Sequence, residues 1–141
     1  MNLFALSGQY VSTSAVVYVE RYKLMSIDHV LAVVPVRDLA EAVQWYTSLF
    51  GREPDNRPMV NLAEWRVTET GWVQVTVDAS RAGQALLNFA VDDLTTHREA
   101  VGMRGLTMGA VVDANKGVQL SSIGDPDGNT LTFIGGFRIH Y

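Results

Sequence analysis

The segment Asp28–Gly51, DHVLAVVPVRDLAEAVQWYTSLFG, contains the signals of a strand followed by a helix. Its first third is short, apolar and rich in valine, which is typical of a β-strand. Asp38 followed by Glu41 is typical of a helix start, and apolar residues then recur at helical spacing. Gly51 is suited to ending the helix. The segment therefore predicts a strand and a helix that packs one face on a sheet.

Residues 52–78 continue as short extended pieces, because two prolines and the TETG turn at residues 68–71 divide them. The clearest strands are AEWRV, residues 63–67, and WVQVTV, residues 72–77. We therefore expect up to three strands after the first helix.

The same order of elements begins again at residue 85. ALLNFAV, residues 85–91, reads as a strand, and either Asp93 or Thr96 can cap a helix that Gly105 ends. Two strands joined by the DPDGN turn at residues 125–129 close this second half. The two halves align at four pairs of positions: His29 with Leu86, Val34 with Val91, Leu39 with Leu94, and Gly51 with Gly105. The chain is therefore interpreted as a repeat of one pattern.

Three stretches carry a resemblance to a known family: residues 28–51, LNFAVDDL at 87–94 and DPDGNTLTF at 125–133. In this order and spacing they resemble the vicinal-oxygen-chelate superfamily, which includes glyoxalase I, bleomycin-resistance proteins and extradiol dioxygenases. The resemblance covers residues 26–136. It implies an α+β fold of two βαβββ modules, about 26–80 and 84–136, forming a curled mixed sheet around a shared cleft.

The chain ends lie outside this pattern. Residues 1–25 are expected to be an N-terminal extension, either poorly ordered or adding an edge strand through SAVVYVERY, and residues 137–141 form a C-terminal tail.

Metal-using members of the superfamily take their ligands from the first and last strand of each module. The resemblance carries these four positions onto His29, Gln74, Leu86 and Thr132. Leucine offers no donor atom, and threonine lacks the charge of a carboxylate, whereas a divalent ion needs about three protein ligands. We therefore expect no tightly bound metal. If a divalent ion is held, His29 and Gln74 are its expected ligands.

A cleft without a metal can still bind a small molecule. Six residues are predicted to line it: His29, Trp65, Trp72, Gln74, Asn88 and Thr132. Indole faces suit a planar or cationic ligand, although either tryptophan can instead pack in the core, an alternative favoured for Trp65. The alternative for His29 is a neutral, hydrogen-bonded histidine in the cleft wall.

Other polar residues are interpreted as structural. Four aspartates lie at helix starts or turns, where their side chains cap backbone N–H groups: Asp92, Asp93, Asp125 and Asp127. His97 and His140 are interpreted as structural or solvated. Glu64 and Glu69 are the candidates for a ligand carboxylate located elsewhere than Thr132.

Composition limits the function classes. The 141 residues suffice for one domain, and the net charge of −4 leaves no basic field for nucleic acid. No apolar run approaches the ~20 residues of a membrane span, and the absence of cysteine fits a cytoplasmic protein.

The expected function is therefore binding of a small molecule, in the manner of glyoxalase and bleomycin-resistance proteins, by a cytoplasmic homodimer. The dimer is expected from the resemblance alone. The alternative is a divalent-metal-dependent lyase, isomerase or dioxygenase, so the sequence leaves open whether the chain is an enzyme.

Overall fold

The computed structural model of the chain describes residues 26–137. Contacts between Cα atoms divide the chain into two compact units after Val30. The first unit contributes only residues 26–30 to the described part, and these are exposed. The second unit contains nearly all of both predicted modules. The expectations for residues 1–25 and His140 lie outside the described residues.

Eight strands, two helices and one 3-10 turn make up the described part. Their bounds are β1 Val30–Val36, α1 Leu39–Phe50, β2 Asn56–Met59, β3 Leu62–Arg66, β4 Gly71–Val77, β5 Leu86–Val91, α2 Leu94–Met103, β6 Val112–Asp113, the 3-10 turn Asn115–Gly117, β7 Gln119–Gly124 and β8 Thr130–Gly135. Neither α1 nor α2 has the length and apolar character that a membrane-spanning helix needs.

The strands form two four-stranded sheets with the same order. The first sheet runs β1-β4-β3-β2 and the second runs β5-β8-β7-β6. In the second sheet β5 pairs with β8 in parallel, whereas β8, β7 and β6 pair antiparallel. Each half is thus one βαβββ module, which confirms the predicted α+β class and the internal repeat.

Helix α1 begins and ends at the residues that the sequence predicts. The Asp38 side chain accepts a 3.0 Å hydrogen bond from the backbone N of Glu41. Gly51 ends the helix with φ of 76°, a conformation that glycine adopts without a steric penalty. These local contacts confirm both predicted ends.

Helix α2 uses the first of its two candidate caps. Oδ1 of Asp93 accepts a 2.9 Å hydrogen bond from the backbone N of Thr96. Beyond its C-terminus, Arg104 donates to the carbonyl oxygens of Ser48 and Leu49. A cation of the second module therefore binds the C-terminal end of α1, where helix carbonyls lack partners.

Both modules contribute to one aromatic core. Tyr46 and Phe50 of α1 lie 5.9 and 5.7 Å from Trp65, between ring centroids. Phe50 also meets Phe89 at 6.1 Å, and Phe89 stacks on Phe133 at 5.1 Å. Each sheet therefore buries one face against this core, and the opposite face remains for other contacts.

Candidate functional site

The face of the first sheet that is turned away from the core is called here the first front face. The pairing of β3 with β4 brings Glu64 opposite Gln74 and Arg66 opposite Trp72. Residues directly opposite one another share a face of the sheet. Strand β1 adds two exposed apolar residues, Leu31 and Val33. This face therefore combines polar side chains with apolar area.

Glu64 is the most unusual residue of the first front face, because this acidic residue is only 9% exposed. One carboxylate oxygen, Oε1, accepts a 3.1 Å hydrogen bond from Nδ2 of Asn56. The other, Oε2, accepts a 2.9 Å hydrogen bond from Nε2 of Gln74. Both donors are neutral amides, and no described cation forms an ion pair with Glu64. Within residues 26–137 its carboxylate is therefore held in place by hydrogen bonds and makes no ion pair.

Arg66 and Trp72 lie beside this carboxylate on the same face. The guanidinium carbon of Arg66 lies 5.8 Å from the ring centroid of Trp72, within range of a cation–π contact. Nε of Arg66 donates a 2.9 Å hydrogen bond to the carbonyl oxygen of Glu69. The Trp72 ring is half-buried, so its exposed part offers apolar area.

A cavity of about 440 Å³ adjoins the first front face. Its wall includes Val33, Thr76 and Asp78. Asp78 accepts hydrogen bonds from Arg81 at 2.7 Å and from Ser80 at 2.9 Å. These bonds lower the pKa of Asp78, that from Arg81 most. Unlike Glu64, this carboxylate has a cationic partner.

The corresponding front face of the second sheet is neutral. Asn88 on β5 pairs with Thr132 on β8, which pairs with Ser122 on β7. The hydroxyls of Ser122 and Thr132 share a 2.7 Å hydrogen bond. Leu86 is 81% exposed. This face therefore offers hydroxyls, one amide and apolar area, without a charge.

The predicted site residues fall into separate groups. Trp72 and Gln74 lie on the first front face, whereas Asn88 and Thr132 lie on the second. Within residues 26–137, no hydrogen bond joins the two pairs. His29 is exposed and belongs to the first compact unit.

Trp65 packs in the core, which was the alternative favoured for it. It is fully buried, lies opposite Val73 on the core face of the first sheet, and donates a 2.9 Å hydrogen bond from Nε1 to the carbonyl oxygen of Arg52. Its edge nevertheless lines a second cavity, together with Asn88. Trp65 and Asn88 are thus the two predicted site residues that one cavity brings together.

Glu64 is the site residue that the sequence alone did not place. The sequence offers it, with Glu69, only as a candidate for a ligand carboxylate at a position other than Thr132. The alternation of AEWR does put Glu64 on the face opposite Trp65. Its position beside Gln74 depends on the register of β3 against β4, for which the sequence carried no signal.

These residues do not fit a tightly bound divalent ion. In residues 26–137, no three histidine, aspartate or glutamate side chains are grouped as ligands would be. Gln74 turns its Nε2 to Glu64, and Thr132 is bonded to Ser122. The position of Leu86 has no donor atom. One carboxylate and one amide fall short of the roughly three ligands that a catalytic site needs.

Comparison with known proteins gives structural relatives. No protein-family model and no curated protein matches the chain. A glyoxalase/bleomycin resistance protein from Catenulispora acidiphila is 29% identical, with a TM-score of 0.72 over 76% of this chain and 96% of that one. TnmS3, an antibiotic-binding protein from a Streptomyces species, is 21% identical, with a TM-score of 0.66 over 79% and 98%.

A glyoxalase/bleomycin resistance protein from Albidiferax ferrireducens is 19% identical, with a TM-score of 0.58 over 74% of this chain and 96% of that one. The matches cover nearly the whole length of each of these structures, and they share the paired-module architecture described above. The chain therefore has the fold of the vicinal-oxygen-chelate superfamily, in the form found in glyoxalase and bleomycin-resistance proteins.

Proposed function

We propose that this chain binds and sequesters a small planar cation in the cytoplasm, in the manner of glyoxalase and bleomycin-resistance proteins and without a tightly held metal. The observation that carries the proposal is the Glu64 carboxylate. It is buried on the first front face and has two neutral amides as partners. A ligand cation supplies the missing opposite charge, and the exposed part of Trp72 supplies a surface for a flat ring.

Sequestration without catalysis is compatible with this fold. TnmS3, which shares the fold, is an antibiotic-binding protein. Binding by a preformed carboxylate and an indole face needs no reacting group, because affinity arises from charge complementarity and apolar contact alone.

A homodimer is part of the proposal. Three large apolar side chains on the front faces are substantially exposed: Leu31 at 49%, Val33 at 53% and Leu86 at 81%. A second copy of the chain would cover this apolar area and enclose the ligand. Light scattering during size-exclusion chromatography tests this, and a molar mass of one chain would contradict it.

The binding experiment compares a planar cation with its neutral analogue. 1-Methylquinolinium chloride and quinoline are titrated into the full chain at about pH 7.5, where quinoline is uncharged, and heat is measured by isothermal titration calorimetry. We expect the cation to bind about ten-fold more tightly, because a charge-assisted contact contributes ~1.5 kcal/mol or more. Equal affinities, or no binding of either compound, would contradict the proposal.

The matched variants are Glu64→Gln and Glu69→Gln. Each replaces one carboxylate by an amide of the same shape, but Glu69 is exposed in the turn after β3. We expect Glu64→Gln to abolish the preference for the cation and Glu69→Gln to retain it. A preference that survives Glu64→Gln would place the cation elsewhere.

The alternative function is a divalent-metal-dependent lyase, isomerase or dioxygenase. The position of Glu64 beside Gln74 favours it, because the carboxylate is a metal ligand and the Gln74 amide becomes one if it rotates to present its oxygen in place of Nε2. Metal analysis of protein purified without chelator separates the two functions. Stoichiometric zinc, manganese, iron or nickel would support the enzyme, and substoichiometric metal would support the binding protein.

A further inference from the structure

A second cavity, of about 660 Å³, lies between the end of β3 and the outer strand β5 of the second sheet. We call it the aromatic cavity. Rings from α1, β3, β5 and β8 line it: Phe50, Trp65, Phe89 and Phe133. Glu64, Gln74 and Trp72 are absent from its wall. Arg66 of the first front face also lines it, so the aromatic cavity adjoins the proposed cation site without including Glu64.

The rings give the aromatic cavity a flat apolar wall. Phe89 and Phe133 are stacked, with their centroids 5.1 Å apart and their planes at 20°. Phe50 lies 5.7 Å from Trp65. Aromatic ligands gain stacking and edge contacts with such rings in addition to the burial of apolar surface. A cavity of this volume and lining is typical of small-molecule sites.

His97 adds an unsatisfied polar atom to the same wall. Its ring packs on Phe133 with centroids 4.3 Å apart, and its Nε2 is buried with no hydrogen-bond partner in residues 26–137. A buried nitrogen without a partner is unfavourable. A ring bound in the aromatic cavity would lie close to the His97 imidazole, so the imidazole signal reports binding there.

The charged side chains that line the aromatic cavity are two arginines. Arg52, which forms an ion pair with Asp55, and Arg66 line it, and among residues 26–137 no acidic residue belongs to its wall. Arg52 donates from Nη2 to Asp55 at 2.9 Å, and Arg66 uses Nε and Nη2 for the carbonyl oxygen of Glu69. Among the described residues, Nη1 of each guanidinium has no hydrogen-bond partner. An anionic group at the mouth of the cavity can therefore accept hydrogen bonds from both arginines.

We propose that the aromatic cavity binds a small aromatic carboxylate, with its ring against Phe50 and Phe89 and its carboxylate at Arg52 and Arg66. This ligand has the charge opposite to that proposed for Glu64. Each of the two proposals can therefore be supported or contradicted without the other.

The test uses 2-naphthoate, with 2-naphthylmethanol as the neutral control and 2-naphthylmethylammonium as the cationic one. Each is titrated into the full chain by calorimetry. We expect 2-naphthoate to bind about ten-fold more tightly than the alcohol, because its carboxylate makes charge-assisted hydrogen bonds. We expect the ammonium compound to bind the aromatic cavity least. Binding of the alcohol as tight as that of 2-naphthoate, or no binding of 2-naphthoate, would overturn the proposal.

Two variants locate the bound molecule. Ala90→Trp fills the cavity from an exposed position of β5, and Val112→Trp makes the same change at an exposed position of β6 that lies outside the cavity. We expect the first to abolish 2-naphthoate binding and the second to leave it unchanged. Circular dichroism and thermal unfolding verify that both variants fold. Unchanged binding by a folded Ala90→Trp would overturn the proposal.

The charge is tested by Arg52→Gln against Arg57→Gln, an exposed arginine of β2 outside the cavity. We expect Arg52→Gln to weaken the binding of 2-naphthoate about ten-fold and to leave the binding of 2-naphthylmethanol unchanged. A loss that is equal for both compounds would show that the arginine supports the fold rather than the carboxylate, and would overturn its assigned role.

In 15N NMR spectra, saturation with 2-naphthoate should shift the His97 ring signal, which is assigned by its absence in His97→Phe. An unmoved signal would place the ligand elsewhere.

Discussion

The hydroxyl of Tyr46 donates a 2.8 Å hydrogen bond to Oδ2 of Asp125, which lies 79 residues further along the chain. Tyr46 belongs to helix α1 of the first module, and Asp125 opens the turn between β7 and β8 of the second. Oδ1 of Asp125 accepts 2.9 Å bonds from the backbone N of Asp127 and of Asn129. One aspartate thus shapes its own turn and also binds the two modules together.

Tyr46→Phe tests this connection between the modules. Burial, reinforced by Asp125, raises the pKa of Tyr46 far above the working range, so the hydroxyl remains a donor. We expect its removal to lower the free energy of unfolding by about 1–2 kcal/mol, measured in urea. Glu53→Gln, at an exposed position after α1, is the control. Equal stabilities of the two variants would show that the bond contributes nothing.

Substitution of Asn129 is expected to lower stability more, because its side chain is fully buried and makes three hydrogen bonds. Nδ2 donates 2.8 Å bonds to Oδ2 of Asp125 and the carbonyl oxygen of Pro35, and Oδ1 accepts a 3.0 Å bond from the backbone N of Ala85. Asn129→Ala should cost about 3 kcal/mol or more, since it leaves several buried groups unpaired. The exposed Asn115→Ala should stay within ~0.5 kcal/mol. Similar urea midpoints for both would contradict this.

Two glycine-to-alanine substitutions should change stability in opposite directions. Gly83 has φ of +87°, and a Cβ there would lie 2.4 Å from the carbonyl oxygen of Asp127. Gly83→Ala should therefore destabilise the fold by about 1–3 kcal/mol. Gly102 lies in α2, and its added Cβ would meet nothing within 4 Å. Gly102→Ala should stabilise by ~0.5–1 kcal/mol. Thermal unfolding of both variants tests the sign, and two shifts of the same sign would contradict it.

His97 should make stability depend on pH. Burial, and then the charge of Arg104, lower the pKa of His97 below its usual value of 6.5, against a smaller opposing effect of Asp92. As the pH falls through 6.5, the unfolded chain therefore binds a proton that the folded chain does not, and stability declines. Below the folded pKa, no further loss arises from this residue.

The control for that pH dependence is His97→Phe, which keeps a ring against Phe133 but cannot bind a proton. Urea unfolding at about pH 7.5 and about pH 5.5 should show a smaller difference for this variant than for the unchanged chain. NMR titration of the His97 ring should give a pKa below that of an unfolded histidine. An equal pH dependence in both proteins would contradict the assignment.

Local chemistry explains why the elements were predictable from the sequence. The cap at Asp38 and the positive φ of Gly51 act within a few residues, so the bounds of α1 agree with those expected. The DPDGN turn likewise bonds to itself through Asp125. Asp92 and Asp93, which were interpreted as structural, also accept hydrogen bonds from backbone N–H groups.

The candidate site was predictable only in part. Trp72 and Gln74 follow the alternation of β4, and the structure places both on the first front face. Trp65 lies on the core face, because the register of β3 puts it opposite Val73. Glu64 has no distinguishing signal in the sequence. Its hydrogen-bond partners, Asn56 and Gln74, come from two neighbouring strands.

The sequence by itself determined the repeated strand and helix pattern, the caps, the turn at Asp125 and the absence of a carboxylate or imidazole at Leu86 and Thr132. These features depend on residue type and on neighbours a few positions away. Only the tertiary structure decided that Glu64 is a buried acidic residue with no ion-pair partner among residues 26–137, and that rings of both modules line the aromatic cavity. Both features depend on strand register and on contacts between residues distant along the chain, which no local pattern encodes.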